Sequence, residues 1–91
     1  MVRAFVLYAE QPDEAAYAEH VELCRRVTGG TFRHGPIFGP GRDARYAYYA
    51  EFEFPDRESF KDAARSDEFT ATGAHAQTLG VSFEVFFADV D

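Results

Sequence analysis

Three histidines, one cysteine and five tyrosines are the side chains of this sequence best suited to moving protons or attacking carbon. His20 and Cys24 stand four residues apart in a segment of helical periodicity, so they share a face. A Cys–His dyad needs an exposed thiolate within reach of the imidazole. Both residues instead fall on an apolar stripe with Ala16, Leu23 and Val27, which makes Cys24 an inert buried thiol. His20, at the centre of that stripe, points at the core. An imidazole there serves as a general base or orienting group, because its pKa moves easily across neutrality, or it is a core histidine satisfied by a hydrogen bond. Tyr8, Tyr46 and Tyr48 fall on strand positions facing the same side as this helix. A phenol so placed orients or protonates a substrate oxygen, or simply fills core volume. His34, beside Gly35, lines the mouth of a pocket or is an exposed edge residue. His75 lies in a later helical segment and reads as solvated. The candidate set is therefore His20 as catalytic group, with Tyr8, Tyr48 and His34 contacting substrate.

A metal is not expected. His20 and Cys24 supply two ligands, and nothing in the sequence selects the others. One histidine is enough to ligate haem, so haem is left open, although the acidic chain does not favour its propionates. There is no G-x-G-x-x-G, P-loop, G-x-S-x-G or H-E-x-x-H pattern. The stretch GPIFGPG at 35–41 has glycines at the wrong spacing for a phosphate loop and reads as a strand end plus a hairpin loop.

The elements that must hold these residues follow from periodicity. Residues 2–9 are β-prone and apolar. Gln11–Pro12–Asp13 opens a helix over 13–28, stopped by Gly29–Gly30. Residues 31–38 form a weak strand, broken by Gly35 and Pro36 and suited to a sheet edge. Residues 45–54 alternate as a clear strand. Pro55–Asp56 starts a helix carrying Phe60, Ala63 and Ala64, and Ser66–Asp67 caps a second segment over 67–78. Residues 81–90 form the last strand. The order β-α-β-β-α-β predicts a ferredoxin-like α+β fold, a four-stranded antiparallel sheet with its helices on one face. Even positions of the first and third strands and odd positions of the fourth should face the helices.

Ninety-one residues make one domain, 1–91, at about 100–200 residues per domain. Ten Phe and five Tyr are enough to fill a core. Nine basic against sixteen acidic residues give a net charge of −7, the wrong sign for nucleic acid or an anionic membrane. No stretch approaches the roughly 20 apolar residues of a transmembrane helix and no signal peptide is visible, so the cytoplasm is expected. The sheet face away from the helices carries Phe5, Leu7, Tyr49 and Phe86, an apolar patch that a second subunit would cover. Arg3, Glu51, Glu53 and Glu84 share that face and need pairing, from Arg3, Arg33 or Arg45.

The segments VLYAEQPD, HVELCRRVTGG, YAYYAEFEFPDRESFKDAARSDEF and GVSFEVFFADVD, in this order, resemble the EthD family of small dimeric α+β-barrel proteins. The resemblance spans nearly the whole chain through soft patterns. It departs in the first helix, where the family often has a His-Tyr-x-x-x-His arrangement: only Tyr17 and the second histidine, His20, are present, and Val27–Thr28–Gly29 replaces a Leu-Pro-Gly stop. The resemblance implies a homodimer whose two sheets form one barrel. It implies, less specifically, handling of a small hydrophobic or aromatic metabolite by cofactor-independent oxidation, cyclisation or isomerisation. The alternative is a non-catalytic accessory or ligand-binding protein, for example one supporting a cytochrome P-450 degradation system. Fold alone does not choose between them.

Overall fold

The structure, a computed structural model, describes residues 1–39 and 45–91. Val2–Tyr8 forms β1. It is followed by α1 (Glu14–Cys24), β2 (Thr31–Pro36), β3 (Tyr48–Phe54), α2 (Arg57–Ala64), α3 (Asp67–Ala76) and β4 (Phe83–Asp89), with a 3₁₀ turn at Gln77–Leu79 after α3. The sheet order is β2-β3-β1-β4 and every neighbouring pair is antiparallel. This is the expected ferredoxin-like arrangement, with the second helix divided at Ser66.

Local chemistry accounts for the boundaries. Asp13 accepts a hydrogen bond from the Ala16 N–H, Asp56 from Ser59 and Ser66 from Phe69, so each helix begins with a side chain satisfying an otherwise orphaned donor. α1 stops at Cys24, earlier than the expected 28. Beyond it the Arg26 and Val27 N–H groups bond three residues back, to Leu23 and Cys24, and this tightened turn tucks Val27 into the core. Gly29, at φ +87°, reverses the chain one step later. Gly30 then passes directly under the Phe54 ring, where a Cβ would lie 2.6 Å from a ring carbon. Of the GPIFGPG stretch, Gly35 and Pro36 end β2, whereas Pro40 and Gly41 of the expected hairpin loop lie outside the described residues.

The sheet face predicted to meet the helices does so over β1 and β3. Val2, Ala4, Tyr8, Tyr48, Ala50, Phe52 and Phe54 are all buried there. β4 is less covered: Val85 remains 49% and Phe87 60% exposed, although the Phe87 ring packs edge-on against Phe60 of α2 at 5.0 Å. Tyr46 also departs from expectation. It precedes β3, and its hydroxyl donates to Glu84, which pairs in register with Leu7 rather than with the helix-side residues.

On the opposite face, Phe5 stacks with Tyr49 and Phe86 at ring separations of 6.2 and 5.4 Å. Beside them Arg3 donates to Glu53 at 2.8 Å and Arg33 to Glu51 at 2.7 Å. Glu51 also accepts from the Tyr49 hydroxyl at 2.7 Å, so this buried carboxylate is paired, as a charge withdrawn from water must be. Of the three candidate arginines, Arg3 and Arg33 supply the pairing. Arg3 holds the Glu53 carboxyl below its ordinary pKa.

Candidate functional site

Between the sheet and the α1–α3 pair lies an apolar cavity of about 100 Å³. Its floor is Ala4, Val6 and Tyr8 of β1 with Ala50 and Phe52 of β3. α1 contributes His20 and Cys24 to the wall, and α3 contributes Phe69, Thr72, Gly73 and Ala76. Small side chains at positions 4, 50, 73 and 76 leave the space. The volume is somewhat below the ~150 Å³ cavity that admits benzene, and far below what a porphyrin needs.

His20 is 4% exposed, as the inward stripe of α1 requires. Its Nδ1 lies 2.9 Å from Nδ1 of His75, and the two ring planes are within 19° of each other. Burial first, and then the neighbouring His75, lower the His20 pKa to about 4. The imidazole is therefore neutral at physiological pH, and alone a weak base. His75, expected to be solvated, is instead packed against His20 on the inner flank of α3, with its Nε2 4.0 Å from Glu19 Oε2. The two histidines are 55 residues apart in sequence. Only the docking of α3 on α1 brings them together.

Tyr17 is the second residue that sequence reasoning passed over. α1 is rotated so that Tyr17, His20 and Cys24 form its buried edge, continued by Val27 in the turn beyond, while Ala16 and Leu23 are only half buried. The Tyr17 ring touches four other aromatic groups: Tyr8 at 5.6 Å, His20 at 5.3 Å, His34 at 5.4 Å and Tyr48 at 5.1 Å between centroids. Its hydroxyl is buried and finds no hydrogen-bond partner among the described residues. The neighbouring Tyr8 ring stands edge-on to that of Tyr17, at 5.6 Å between centroids. Burial raises the pKa of both phenols, so both are neutral donors.

The remaining candidates fall on the outer side of Tyr17. His34 Nδ1 is 2.7 Å from the Tyr48 hydroxyl, and the pair lines a surface groove with Gln11, Glu14 and Val21. The structure therefore divides the four candidate residues: His20 and Tyr8 line the inner cavity, and Tyr48 and His34 the outer groove, with the Tyr17 ring between them. Cys24 is 2% exposed, and burial pushes its thiol up to about 12, which removes it as a nucleophile. Among the described residues no cluster of three or more His, Cys, Asp and Glu side chains is arranged to hold a metal ion. No helix among them is long and apolar enough to cross a membrane.

A chain of inward α1 residues 17, 20 and 24 at helical spacing was a readable sign for Tyr17. For His75 the sign was the Ser66 cap, which sets the phase of α3 so that Phe69, Thr72 and Ala76 face inward and His75 borders them.

No protein-family model matches the chain, and no curated protein is significantly similar to it. Solved structures are similar over its whole length. An EthD family protein from Bacillus halodurans is 24% identical with a TM-score of 0.78, over 100% of this chain and 99% of that one. A dimeric ferredoxin-like protein of unknown function from Jannaschia sp. is 20% identical with a TM-score of 0.70, over 98% of each chain. A variant of the cofactor-independent oxygenase SnoaB from Streptomyces nogalater is 18% identical with a TM-score of 0.64, over 98% of this chain and 91% of that one. These likenesses show a shared ferredoxin-like fold.

Proposed function

We propose that this EthD-like chain binds a small apolar or aromatic metabolite bearing an oxygen, and that His20 removes a proton from it. The carrying observation is an apolar cavity of about 100 Å³ whose wall holds a buried neutral imidazole and a phenol. Apolar walls with a few convergent polar groups are the usual form of a small-molecule site. The ligand's oxygen accepts a hydrogen bond from the Tyr8 phenol, which lines the cavity together with His20. The proton lost to His20 leaves an enolate or phenolate. That anion is the common starting point of isomerisation, cyclisation and cofactor-independent oxygenation. His34 and Tyr48 hold any part of the ligand that extends to the outer groove.

A second reading is a non-catalytic carrier or accessory protein, favoured by the low basicity of His20. In either reading the chain works as a homodimer in the cytoplasm, paired through the Phe5–Tyr49–Phe86 face. The likeness to proteins described as dimeric ferredoxin-like supports this assembly.

Native mass spectrometry of protein purified gently from its own host tests the cavity and the assembly together. A dimer carrying a small organic mass is expected. The His20→Ala variant then separates the two readings. Ligand binding kept with turnover lost marks an enzyme, whereas binding kept with no turnover in either protein marks a carrier. An empty protein that takes up no aromatic probe overturns both.

A further inference from the structure

A base in an apolar cavity must pass on the proton it takes, because an imidazolium stranded there is costly. The Nδ1–Nδ1 separation of 2.9 Å between His20 and His75 is a hydrogen-bond distance. Two N–H groups cannot point at each other at that range. One Nδ1 must donate and the other accept, so the pair holds a single proton between these atoms and the tautomers of the two rings are locked together. His75 is 17% exposed at its side chain, and its Nε2 faces Glu19, a carboxylate 75% exposed to water. The His75–Glu19 approach of 4.0 Å is longer than a hydrogen bond. It is close enough for the carboxylate's charge to favour a proton on His75 Nε2. His75 Nδ1 is then the acceptor, His20 Nδ1 carries the shared proton, and His20 Nε2 is left with a free lone pair.

We propose that Glu19, His75 and His20 form a proton relay between the cavity and solvent, with His75 the positioning residue that makes His20 Nε2 the basic atom. When His20 Nε2 takes a proton from the ligand, the Nδ1 proton of His20 crosses to Nδ1 of His75. His75 then releases its Nε2 proton toward Glu19 and water. One proton enters and one leaves, and His20 ends neutral in its other tautomer. The reverse passage of one proton through the same three groups resets it. Cys24 and Tyr17, the neighbouring titratable groups of α1, are buried and neutral and take no part.

This assignment rests on the reading of His20 as the group that meets the ligand, but its test needs no ligand. Nitrogen-15 NMR of imidazole-labelled protein near pH 7 reads which ring nitrogen carries hydrogen. The expected pattern is His20 protonated at Nδ1 and His75 at Nε2. In Glu19→Gln, an exposed change that leaves the fold intact, the bias is lost and both rings move together toward the opposite tautomers. In His75→Phe, which keeps the ring stacked on His20, His20 loses its Nδ1 preference. His20 protonated at Nε2 in the unaltered protein, or a tautomer ratio insensitive to Glu19→Gln, overturns the relay. A correct tautomer pattern in a protein that binds no ligand would instead leave the relay standing and defeat the reading of the cavity.

Discussion

At the scale of single residues, the site is defined by what burial does to polar groups. His20 titrates at about 4 in the folded chain against an ordinary 6.5, through burial and the adjacent His75. The unfolded chain therefore binds the extra proton first, so this contribution to stability is complete above pH 6.5 and is lost as pH falls toward 4. A shift of this size corresponds to a few kcal/mol, on the order of 2–3. In urea unfolding, His20→Gln should lose less stability between pH 7 and pH 4 than the unaltered protein does. Equal losses would remove His20 as a buried neutral group. Tyr17 offers a second, opposite test. A buried hydroxyl with no partner is a net cost of roughly 1–3 kcal/mol, so Tyr17→Phe should hold or raise stability by about 1 kcal/mol. A clear destabilisation would mean that the hydroxyl already has a partner, such as an ordered water.

At the scale of elements, the critical feature is the break between α2 and α3. Ser66 accepts from the Phe69 N–H through its hydroxyl and donates to the Ala63 carbonyl at 2.6 Å, so one side chain ends one helix and starts the next. This sets the rotation of α3 and with it the position of His75. Ser66→Ala should cost about 1 kcal/mol in unfolding free energy, and should broaden the His20–His75 NMR signals before it unfolds the protein. The β2 entry is equally constrained. A methyl group at Gly30 would meet two Phe54 ring carbons at 2.6 and 2.7 Å and the Glu53 carbonyl oxygen at 2.9 Å, and Phe54 is fully buried. Gly30→Ala should therefore cost roughly 1–3 kcal/mol as overpacking. Gly35→Ala, where an added Cβ meets no other part of the described residues within 4 Å apart from its chain neighbours, is the control and should change thermal stability little.

At the scale of the molecule, the described residues put helices on one face of the sheet and only side chains on the other. Phe86 is 41% exposed on that open face, in a stack with Phe5 and Tyr49. Covering this patch is the simplest source of additional stability for a chain of 91 residues, whose single core buries a modest share of its surface. Analytical ultracentrifugation at micromolar concentration should show a dimer, and Phe86→Arg should convert it to a folded monomer. A Phe86→Arg protein that remains dimeric would place the interface elsewhere, at the exposed Val85 and Phe87 of β4.

The sequence by itself determined the order of elements, the antiparallel ferredoxin-like arrangement, the capped break at Ser66 and the inward placement of His20 and Tyr8. All of these depend on short-range periodicity and on caps acting within one turn. Strand alternation also placed Phe5, Leu7, Tyr49 and Phe86 on the open sheet face, and it offered three arginines of which Arg3 and Arg33 pair the glutamates. What only the tertiary structure decided is which elements touch. His75 reaches His20 through the packing of α3 on α1, a contact between segments with no sequence relation. The Tyr17 ring divides His34 and Tyr48 from His20 and Tyr8 because α1 settles a fraction of a turn from the position its apolar residues suggest. Val85 and Phe87 stay half exposed because β4 is an edge strand, where Phe60 of α2 covers Phe87 only in part. Periodicity reports which side of an element is apolar. The angle and distance at which two such sides meet depend on the volumes of all the side chains between them.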